Sequence, residues 1–194
     1  MTPLEARRLR LPIAGALHDT IHAVHFYETE EFLLETLTSF VASGITAHEA
    51  VIVVATPEHR AQLDERLAAS GIAVRQAREA GAYVTVDAAE LLSRFRDGTI
   101  DASRFHEVVG GVIARARGEG TRPVRVFGEM VALLWAEGDP AAAIELESLW
   151  NELGRKMSFA LLCAYPTSLF EEDRSPGEVA EITKTHTPGI TALN

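Results

Sequence analysis

Three places in this sequence carry side chains that could do chemistry. His22 and His25 stand near the start of one apolar run, Glu129 follows a glycine at the end of a second, and Cys163 lies within a third. Imidazole, carboxylate and thiol groups can transfer protons, ligate metals or hold the polar group of a ligand. What each of them does depends on its neighbours and on the element that carries it.

The two histidines cannot bind one metal together from a strand. Strand side chains alternate between faces, so residues three apart project to opposite sides. His22 shares its face with apolar neighbours, which favours a hydrogen-bonded histidine at the start of a strand, and a contact to a ligand is the second interpretation. A third stays open, in which His22 meets Cys163 or His186 around a metal or haem. The sequence alone assigns no metal.

Glu129 occupies the position at which a nucleotide-hydrolysing α/β protein places an acid for magnesium or for water activation. That role also requires a phosphate-binding loop, and the sequence has none. Neither of its two lysines, Lys156 and Lys184, lies in a glycine–lysine–serine/threonine motif. Two interpretations of Glu129 remain. It is either an acidic cap for the helix that follows or a buried carboxylate that bonds a small polar ligand.

Cys163 is the only cysteine, and its apolar surroundings are typical of an inert core thiol. The sequence contains no Gly-x-Ser-x-Gly, His-Glu-x-x-His or paired-carboxylate pattern, so nothing specific supports a hydrolase. We therefore assign no catalytic residue and no cofactor, and we expect that the protein is not an enzyme.

Composition and charge exclude several classes of partner. The 194 residues are 47% hydrophobic, enough for the core of one domain, and the formal net charge is −10. That charge repels nucleic acid and anionic membranes. No apolar stretch approaches the roughly 20 residues needed to cross a bilayer, no signal peptide is evident, and a single cysteine agrees with a reducing compartment. We expect a cytoplasmic protein that binds neither nucleic acid nor a membrane.

The elements that must position these residues alternate between strand and helix. Helix starts are marked by Thr56-Pro57 and by the capping box at Asp87, and Gly44 is expected to end the first helix. Alternating elements pair their strands in parallel through right-handed crossovers. The fold class is therefore α/β, a three-layer α/β/α sandwich with about five mostly parallel strands. The predicted strands span residues 22–27, 51–55, 83–86, 123–127 and 159–165.

The chain divides into an N-terminal arm over residues 1–20, one domain over 21–170, and a C-terminal helix or tail over 171–194. In an open α/β sheet, ligands bind beyond the carboxyl ends of the strands. We expect strands one, four and five to be near neighbours, so that their side chains meet in one crevice there, with Trp135 as an apolar wall. The ligand-binding candidates are His22, His25, Tyr27, Glu129, Trp135, Cys163 and Tyr165.

Three segments carry a more specific signal than any one motif. They are His22-Ala-Val-His-Phe-Tyr27, Phe127-Gly-Glu-Met-Val-Ala-Leu-Leu-Trp135, and Leu146-Glu-x-x-Trp-Asn-x-Leu153 leading to Leu161-Leu-Cys-Ala-Tyr-Pro166. Their order and spacing resemble the MEDS family, the methanogen and methylotroph sensory domain that includes the sensor of a dichloromethane-responsive regulator.

The resemblance implies a core similar to that of RecA and KaiC but without the phosphate-binding loop. It also implies a sensory domain of prokaryotic signal transduction that detects small hydrocarbon derivatives without catalysis. The family's histidine falls on His22, its acid on Glu129, and its Cys-Ala-Tyr on Cys163 and Tyr165. A cysteine expected shortly before the terminal histidine is Thr183 here, so a role that needs that thiol does not carry over.

Members of the family are often fused to histidine kinases, DNA-binding domains or anti-sigma modules. We expect this chain to bind a small, mostly apolar molecule and to relay that event through its surface to a histidine kinase or an anti-sigma type protein, and a homodimer stays open. An alternative is a ligand-free interaction module with a degenerate NTPase-like fold, which predicts a filled crevice and an exposed apolar patch. A third alternative is an enzyme that uses Glu129 or Cys163.

The sequence positions of the two lysines predict that the protein neither binds ATP tightly nor hydrolyses it. No glycine-rich loop with a following lysine is present to neutralise the phosphates. Titration calorimetry with magnesium and ATP should show no micromolar binding. Micromolar affinity that disappears in a Glu129→Gln variant would contradict this expectation and would revive the enzyme alternative.

Overall fold

A computed structural model describes residues 21–120, 122–170, 182, 184–186 and 191–193, and the features below concern those residues. The predicted arm over residues 1–20 lies outside them. Of the predicted C-terminal part, Ile182 and His186 are described and both are buried against the domain.

Strands and helices alternate along the described chain, as the sequence predicts. The strands are β1 (Ile21–Tyr27), β2 (Ala50–Ala55), β3 (Tyr83–Asp87), β4 (Arg96–Asp97), β5 (Thr99–Ile100), β6 (Val124–Gly128), β7 (Ala160–Pro166) and β8 (Thr191–Leu193). The helices are α1 (Glu30–Thr46), α2 (Pro57–Ala69), α3 (Val74–Glu79), α4 (Ala88–Ser93), α5 (Ala102–Arg117), α6 (Met130–Ala136) and α7 (Pro140–Lys156), and a 3-10 turn covers Thr167–Phe170.

One parallel sheet organises the fold. Its strand order is β3-β2-β6-β7-β1-β8, while β4 and β5 form a separate antiparallel hairpin. The predicted α/β sandwich is confirmed, and so is the expected neighbourhood of the first, fourth and fifth predicted strands, which are β1, β6 and β7. Every residue of β2 is buried, as expected for an apolar run that is covered on both faces of a sheet.

Helices cover both faces of the sheet. The apolar side chains of α1, α2 and α3 pack on one face, around Val51, Val53 and Phe127. Those of α4, α5, α6 and α7 pack on the other face, around Ile52, Val126 and two large rings, Trp135 and Trp150. None of the helices described here has both the length and the apolar character to cross a bilayer.

Side-chain caps start the helices where the sequence predicts them. The Thr56 hydroxyl accepts the His59 N–H, with Pro57 in the first turn of α2, and the Asp87 carboxylate accepts the Glu90 N–H at the start of α4. Each cap satisfies a backbone donor that a helix start otherwise leaves open. The strand ends that precede α2 and α4 are therefore fixed in position.

Three short elements escaped the sequence analysis. Helix α3 has no side-chain cap and buries only Ala77, so it has neither a start signal nor an apolar stripe. The β4–β5 hairpin consists of two-residue strands around Gly98. The strand β8 is three residues long, and it is added to the sheet beside β1. Elements this short do not show a hydrophobic period.

Gly44 does not end α1, as the sequence analysis expected, but lies two residues inside it. A Cβ atom at this position would stand 2.6 Å from Val51 Cγ2 and 2.8 Å from Arg125 Cδ. The Arg125 guanidinium is buried there, donates to the Phe40 carbonyl at 2.9 Å and pairs with Glu49. A glycine is thus required by the close approach of a buried ion pair to the helix.

We predict that Gly44→Ala lowers the free energy of unfolding by about 1–3 kcal/mol, because the added methyl displaces Val51 or Arg125. Gly110→Ala in α5 is the matched control, since its Cβ would meet Leu153 Cδ1 at an ordinary 3.6 Å. That change should raise stability by about 0.5–1 kcal/mol, the usual gain when alanine replaces a mid-helix glycine. Urea denaturation of both variants measures the difference, and a stabilised Gly44→Ala protein would contradict the packing described.

Candidate functional site

The structure divides the predicted site residues between the two faces of the sheet. On β1, His22 lies on the same face as Val24, which packs with α5, α6 and α7. Tyr27 packs on the opposite face with α1 and α2, and the ring of His25 stacks on it with centroids 6.1 Å apart. The strand period of two makes this division unavoidable.

The first site is a cluster of four side chains that we call the buried quartet: His22, Glu147, Cys163 and His186. One potential ligand atom from each residue lies within 4.8 Å of the others, and all four residues are buried. The Glu147 side chain has no exposed surface at all. Groups of this polarity are rarely brought together in a protein interior unless they satisfy one another or hold an ion.

Four segments that are distant in sequence build the quartet. His22 is the second residue of β1, and Cys163 is the fourth residue of the adjacent β7. Glu147 projects from the sheet-facing side of α7. His186 follows Ile182 in the C-terminal segment, where both residues are buried. The parallel pairing of β1 with β7 and the packing of α7 over them therefore fix three of the four positions.

The distances inside the quartet are those of direct contact. His22 Nε2 lies 3.0 Å from Glu147 Oε2 and 3.3 Å from Cys163 Sγ. The Cys163 Sγ is 3.6 Å from the same carboxylate oxygen. His186 Nε2 lies 3.4 Å from Glu147 Oε1. The carboxylate is thus the centre to which the other three groups converge.

Outer hydrogen bonds hold both imidazole rings in one orientation. The Asn151 amide Nδ2 donates to the Thr185 carbonyl at 2.7 Å, so its Oδ1 faces His22 Nδ1, 3.0 Å away, and accepts the proton of that nitrogen. His186 Nδ1 donates to the Ile182 carbonyl at 2.6 Å. A neutral imidazole carries one N–H, so a neutral ring held in this way presents the lone pair of Nε2 to the quartet, whereas a protonated ring donates from Nε2 to the Glu147 carboxylate.

Tyr165 and Trp135 stand beside the quartet. The Tyr165 hydroxyl donates to Glu147 Oε1 at 2.7 Å. Its ring meets that of Trp135 edge to face with centroids 6.1 Å apart, and both residues have no exposed surface. The Tyr165 hydroxyl therefore orients the carboxylate, while the Trp135 ring packs in the core around it.

Burial sets the charge state of the quartet's acidic groups. It raises the pKa of the Cys163 thiol well above its usual value, and the Glu147 carboxylate raises it further. For Glu147, burial also favours the neutral acid, but positive charge on the two imidazoles and the hydrogen bonds donated by His22 and Tyr165 outweigh burial and lower the pKa. Without a cation beside it, Cys163 is therefore a neutral thiol next to a carboxylate, and not a nucleophile.

The second site surrounds Glu129, at the carboxyl ends of β2 and β6. Glu129 precedes α6, yet its side chain makes no cap hydrogen bond to that helix. Its Oε2 accepts the Thr56 N–H at 2.9 Å, and Oε1 lies 2.5 Å from His59 Nδ1. The interpretation of Glu129 as the acidic cap of its own helix is wrong, because the carboxylate turns to the start of α2 instead.

Two aromatic residues of β1 share this face with Glu129. Burial raises the pKa of the Tyr27 phenol, and the charge of Glu129 raises it further, which makes the two residues electrostatic neighbours. Burial also lowers the pKa of His25 to about 4. Neither ring nitrogen of His25 has a hydrogen-bond partner within the described residues, so this histidine is neutral at physiological pH.

The expected convergence of all candidates on one crevice is therefore wrong. His22 meets Cys163 beside Tyr165, but Glu129 is held by residues of α2 on the other side of the sheet. The topological argument succeeded in bringing strands β1, β6 and β7 together. It failed at Glu129 because the direction of a side chain after a strand end depends on which helix start offers it a donor.

Sequence reasoning assigned no role to Glu147 or His59. Glu147 lies four residues after Ala143 and three before Trp150, a spacing that places it on the buried stripe of α7. That spacing was the available signal, although a glutamate on an amphipathic helix normally faces solvent. His59 in the first turn of α2 carried no signal, because its partner Glu129 is 70 residues away along the chain.

The hydrogen bond that His59 donates to the Glu129 carboxylate raises the pKa of His59, against the opposing effect of burial. The charged pair therefore stabilises the fold fully below the ordinary histidine pKa of about 6.5, and this contribution is lost as pH rises through the raised value. We predict that His59→Gln lowers the free energy of unfolding by about 1 kcal/mol near pH 6 and by less near pH 9. Urea denaturation at both values tests this, with His106→Gln as a control, and an equal loss at both would contradict it.

A comparison with protein-family models identifies the family of this chain. A sequence profile of the MEDS family, described as the methanogen/methylotroph, DcmR sensory domain, matches residues 21–187. No curated protein matches the chain. The matched range includes both sites, from His22 at one end to His186 at the other. Because the profile covers most of the 194 residues, this chain belongs to the MEDS family of sensory domains.

Proposed function

We propose that this protein senses a small, mostly apolar molecule, such as a hydrocarbon derivative, whose single polar group bonds to Glu129. The observation that supports it most directly is the Glu129 carboxylate, 3% exposed, at the carboxyl ends of parallel strands. This edge of an open α/β sheet is where ligands bind. Membership of a sensory family gives the proposal its biological context.

The hydrogen bonds of Glu129 suit exchange with a ligand. One carboxylate oxygen accepts the backbone N–H of Thr56, a donor that is fixed by the main chain. The other oxygen bonds to His59, whose side chain is 12% exposed and can move. A hydroxyl or an amine can replace the imidazole without leaving the carboxylate unpaired, so binding does not incur the full cost of desolvating a charge. The swing of the His59 ring then changes the start of α2.

The apolar part of the ligand would rest against β1. Tyr27 is 8% exposed and the stacked His25 is neutral, so both present mainly carbon surface on this face. Of the other candidates, Trp135 and Tyr165 lie on the quartet's face, where they belong to the apolar core. We therefore restrict the proposed ligand contacts to His25, Tyr27, His59 and Glu129.

We further propose that the protein is a cytoplasmic, bacterial signalling module that acts without catalysis. Ligand binding would be relayed by surface contacts to a histidine kinase or an anti-sigma type partner. The similarity to RecA and KaiC cores is part of this proposal and draws support from a parallel sheet in which β1 lies between β7 and β8. The competing idea of a ligand-free interaction module predicts an apolar patch, and Phe32, 40% exposed, is the single exposed large hydrophobic residue among those described.

A thermal-shift screen of short-chain alcohols, amines and halogenated alkanes tests the proposal. At least one compound should raise the melting temperature of the wild type at millimolar concentration, because it binds only the folded state. Glu129→Gln keeps the shape and the acceptor for Thr56 but not the charge, and it should abolish that shift. Glu137→Gln on the surface is the control and should retain it.

The absence of any shift in a folded, ligand-free protein would overturn the sensing proposal. A shift that survives in the Glu129→Gln variant would place the ligand elsewhere. Either result leaves the assignment to the family intact.

A further inference from the structure

We propose that the buried quartet binds one divalent transition-metal ion of the zinc class. The ligands are His22 Nε2, His186 Nε2, Cys163 Sγ and a Glu147 carboxylate oxygen, which converge from four segments of the chain. This site is distinct from the Glu129 site on the other face of the sheet. The proposal goes beyond the sensing function and does not depend on it.

The chemical types of the four donors select this class of metal. Imidazole nitrogen and thiolate sulfur favour zinc and its neighbours in the first transition series, while magnesium and calcium require sites made mainly of oxygen. Four protein donors complete a tetrahedral coordination shell. A closed shell of this kind is typical of a structural metal rather than a catalytic one.

The spacing of the donors fits such a shell. Metal–ligand distances of about 2.0–2.3 Å place the ligands of a tetrahedral zinc ion roughly 3.3–3.8 Å from one another. The contacts from His22 Nε2 are 3.0 and 3.3 Å, and that from Cys163 Sγ to Glu147 is 3.6 Å. His186 Nε2 lies 3.4 Å from the other carboxylate oxygen, Glu147 Oε1. All four ligand atoms lie within 4.8 Å of one another, so small side-chain shifts complete the tetrahedron.

The imidazole rings are oriented as metal ligands are. In metal sites, the nitrogen that does not bind the ion usually donates to a carbonyl or an amide oxygen, which fixes the ring. His22 Nδ1 donates to Asn151 Oδ1 and His186 Nδ1 donates to the Ile182 carbonyl. Tyr165 plays the same outer role for Glu147.

His186 supplies an independent observation. The residue is 4% exposed, and within the described part of the chain its Nε2 has no hydrogen-bond partner. In the neutral ring with its proton on Nδ1, the lone pair of Nε2 faces the carboxylate oxygen of Glu147, and two lone pairs at 3.4 Å repel each other. A cation between them removes this conflict.

The charges also balance. Binding displaces the thiol proton of Cys163, which is released to solvent, and a divalent ion bound by the resulting thiolate and one carboxylate forms a site with no net charge, which suits complete burial. Bound metal would connect His186, in the C-terminal part of the chain, to β1, β7 and α7. Its predicted role is therefore to fasten the end of the domain to the sheet.

The full 194-residue chain, refolded with a slight excess of Zn(II) and then dialysed, tests the proposal. Elemental analysis should find about one zinc ion per chain. Refolding with Co(II) in place of zinc should give the intense visible bands of tetrahedral cobalt and a thiolate-to-cobalt charge-transfer band in the near ultraviolet. Cys163 is the only thiol, so that band identifies the ligand.

Three variants sharpen the test. Cys163→Ser should remove the charge-transfer band, and His186→Gln should weaken cobalt binding at least about tenfold. His106→Gln removes a histidine outside the quartet and should change neither measurement. A folded wild-type protein that retains no more zinc than the Cys163→Ser variant, or whose cobalt form lacks the thiolate band, would overturn the proposal. The wild-type spectrum decides the matter even if a quartet variant fails to fold.

Discussion

A carboxylate with no exposed surface, that of Glu147, constrains this whole side of the fold. An isolated buried carboxylate costs several kcal/mol, so it needs hydrogen-bond donors or a cation beside it. Tyr165 donates from β7, and His22 reaches it from β1. Those contacts accompany the packing of α7 over these two strands, and the buried His186 completes the cluster. The quartet is thus a reason for the arrangement of the elements as well as a result of it.

The opposite face of the sheet is organised by a second buried charge. The Arg125 guanidinium on β6 pairs with Glu49, donates to the Phe40 carbonyl and lies over the Phe40 ring at 5.0 Å. These partners tie α1 and the start of β2 to the middle of the sheet. The same packing requires a glycine at position 44 of α1, because a larger residue would occupy the space of the Arg125 side chain. Apolar burial gives both faces most of their stability, while the charged groups fix which helix lies where.

The sequence predicts the fold well and the candidate site only in part, for physical reasons. The β-branched run of β2 and the caps at Thr56 and Asp87 are local signals, so the sheet and the helix starts follow from them. The contact of His22 with Cys163 follows from adjacent strands. The partner of Glu129 depends on a donor from a helix far along the chain, and no local pattern contains that information. The spacing of Glu147 on α7 was enough to predict that it is buried. Its role could not be predicted, because that role depends on contacts with the other three residues of the quartet.

The strand β1 carries side chains to both sites, and this is the structural basis for thinking of the domain as a sensor. His22 faces the quartet while Tyr27, five residues later, faces the Glu129 side. A strand held by parallel hydrogen bonds to β7 and β8 moves as a unit. Displacement of Tyr27 by the proposed ligand would act on the same backbone that positions His22, and the quartet in turn includes His186. The two proposed sites are chemically separate but share this strand, so under the sensing proposal β1 is the element that would connect binding at one edge to a change at the other.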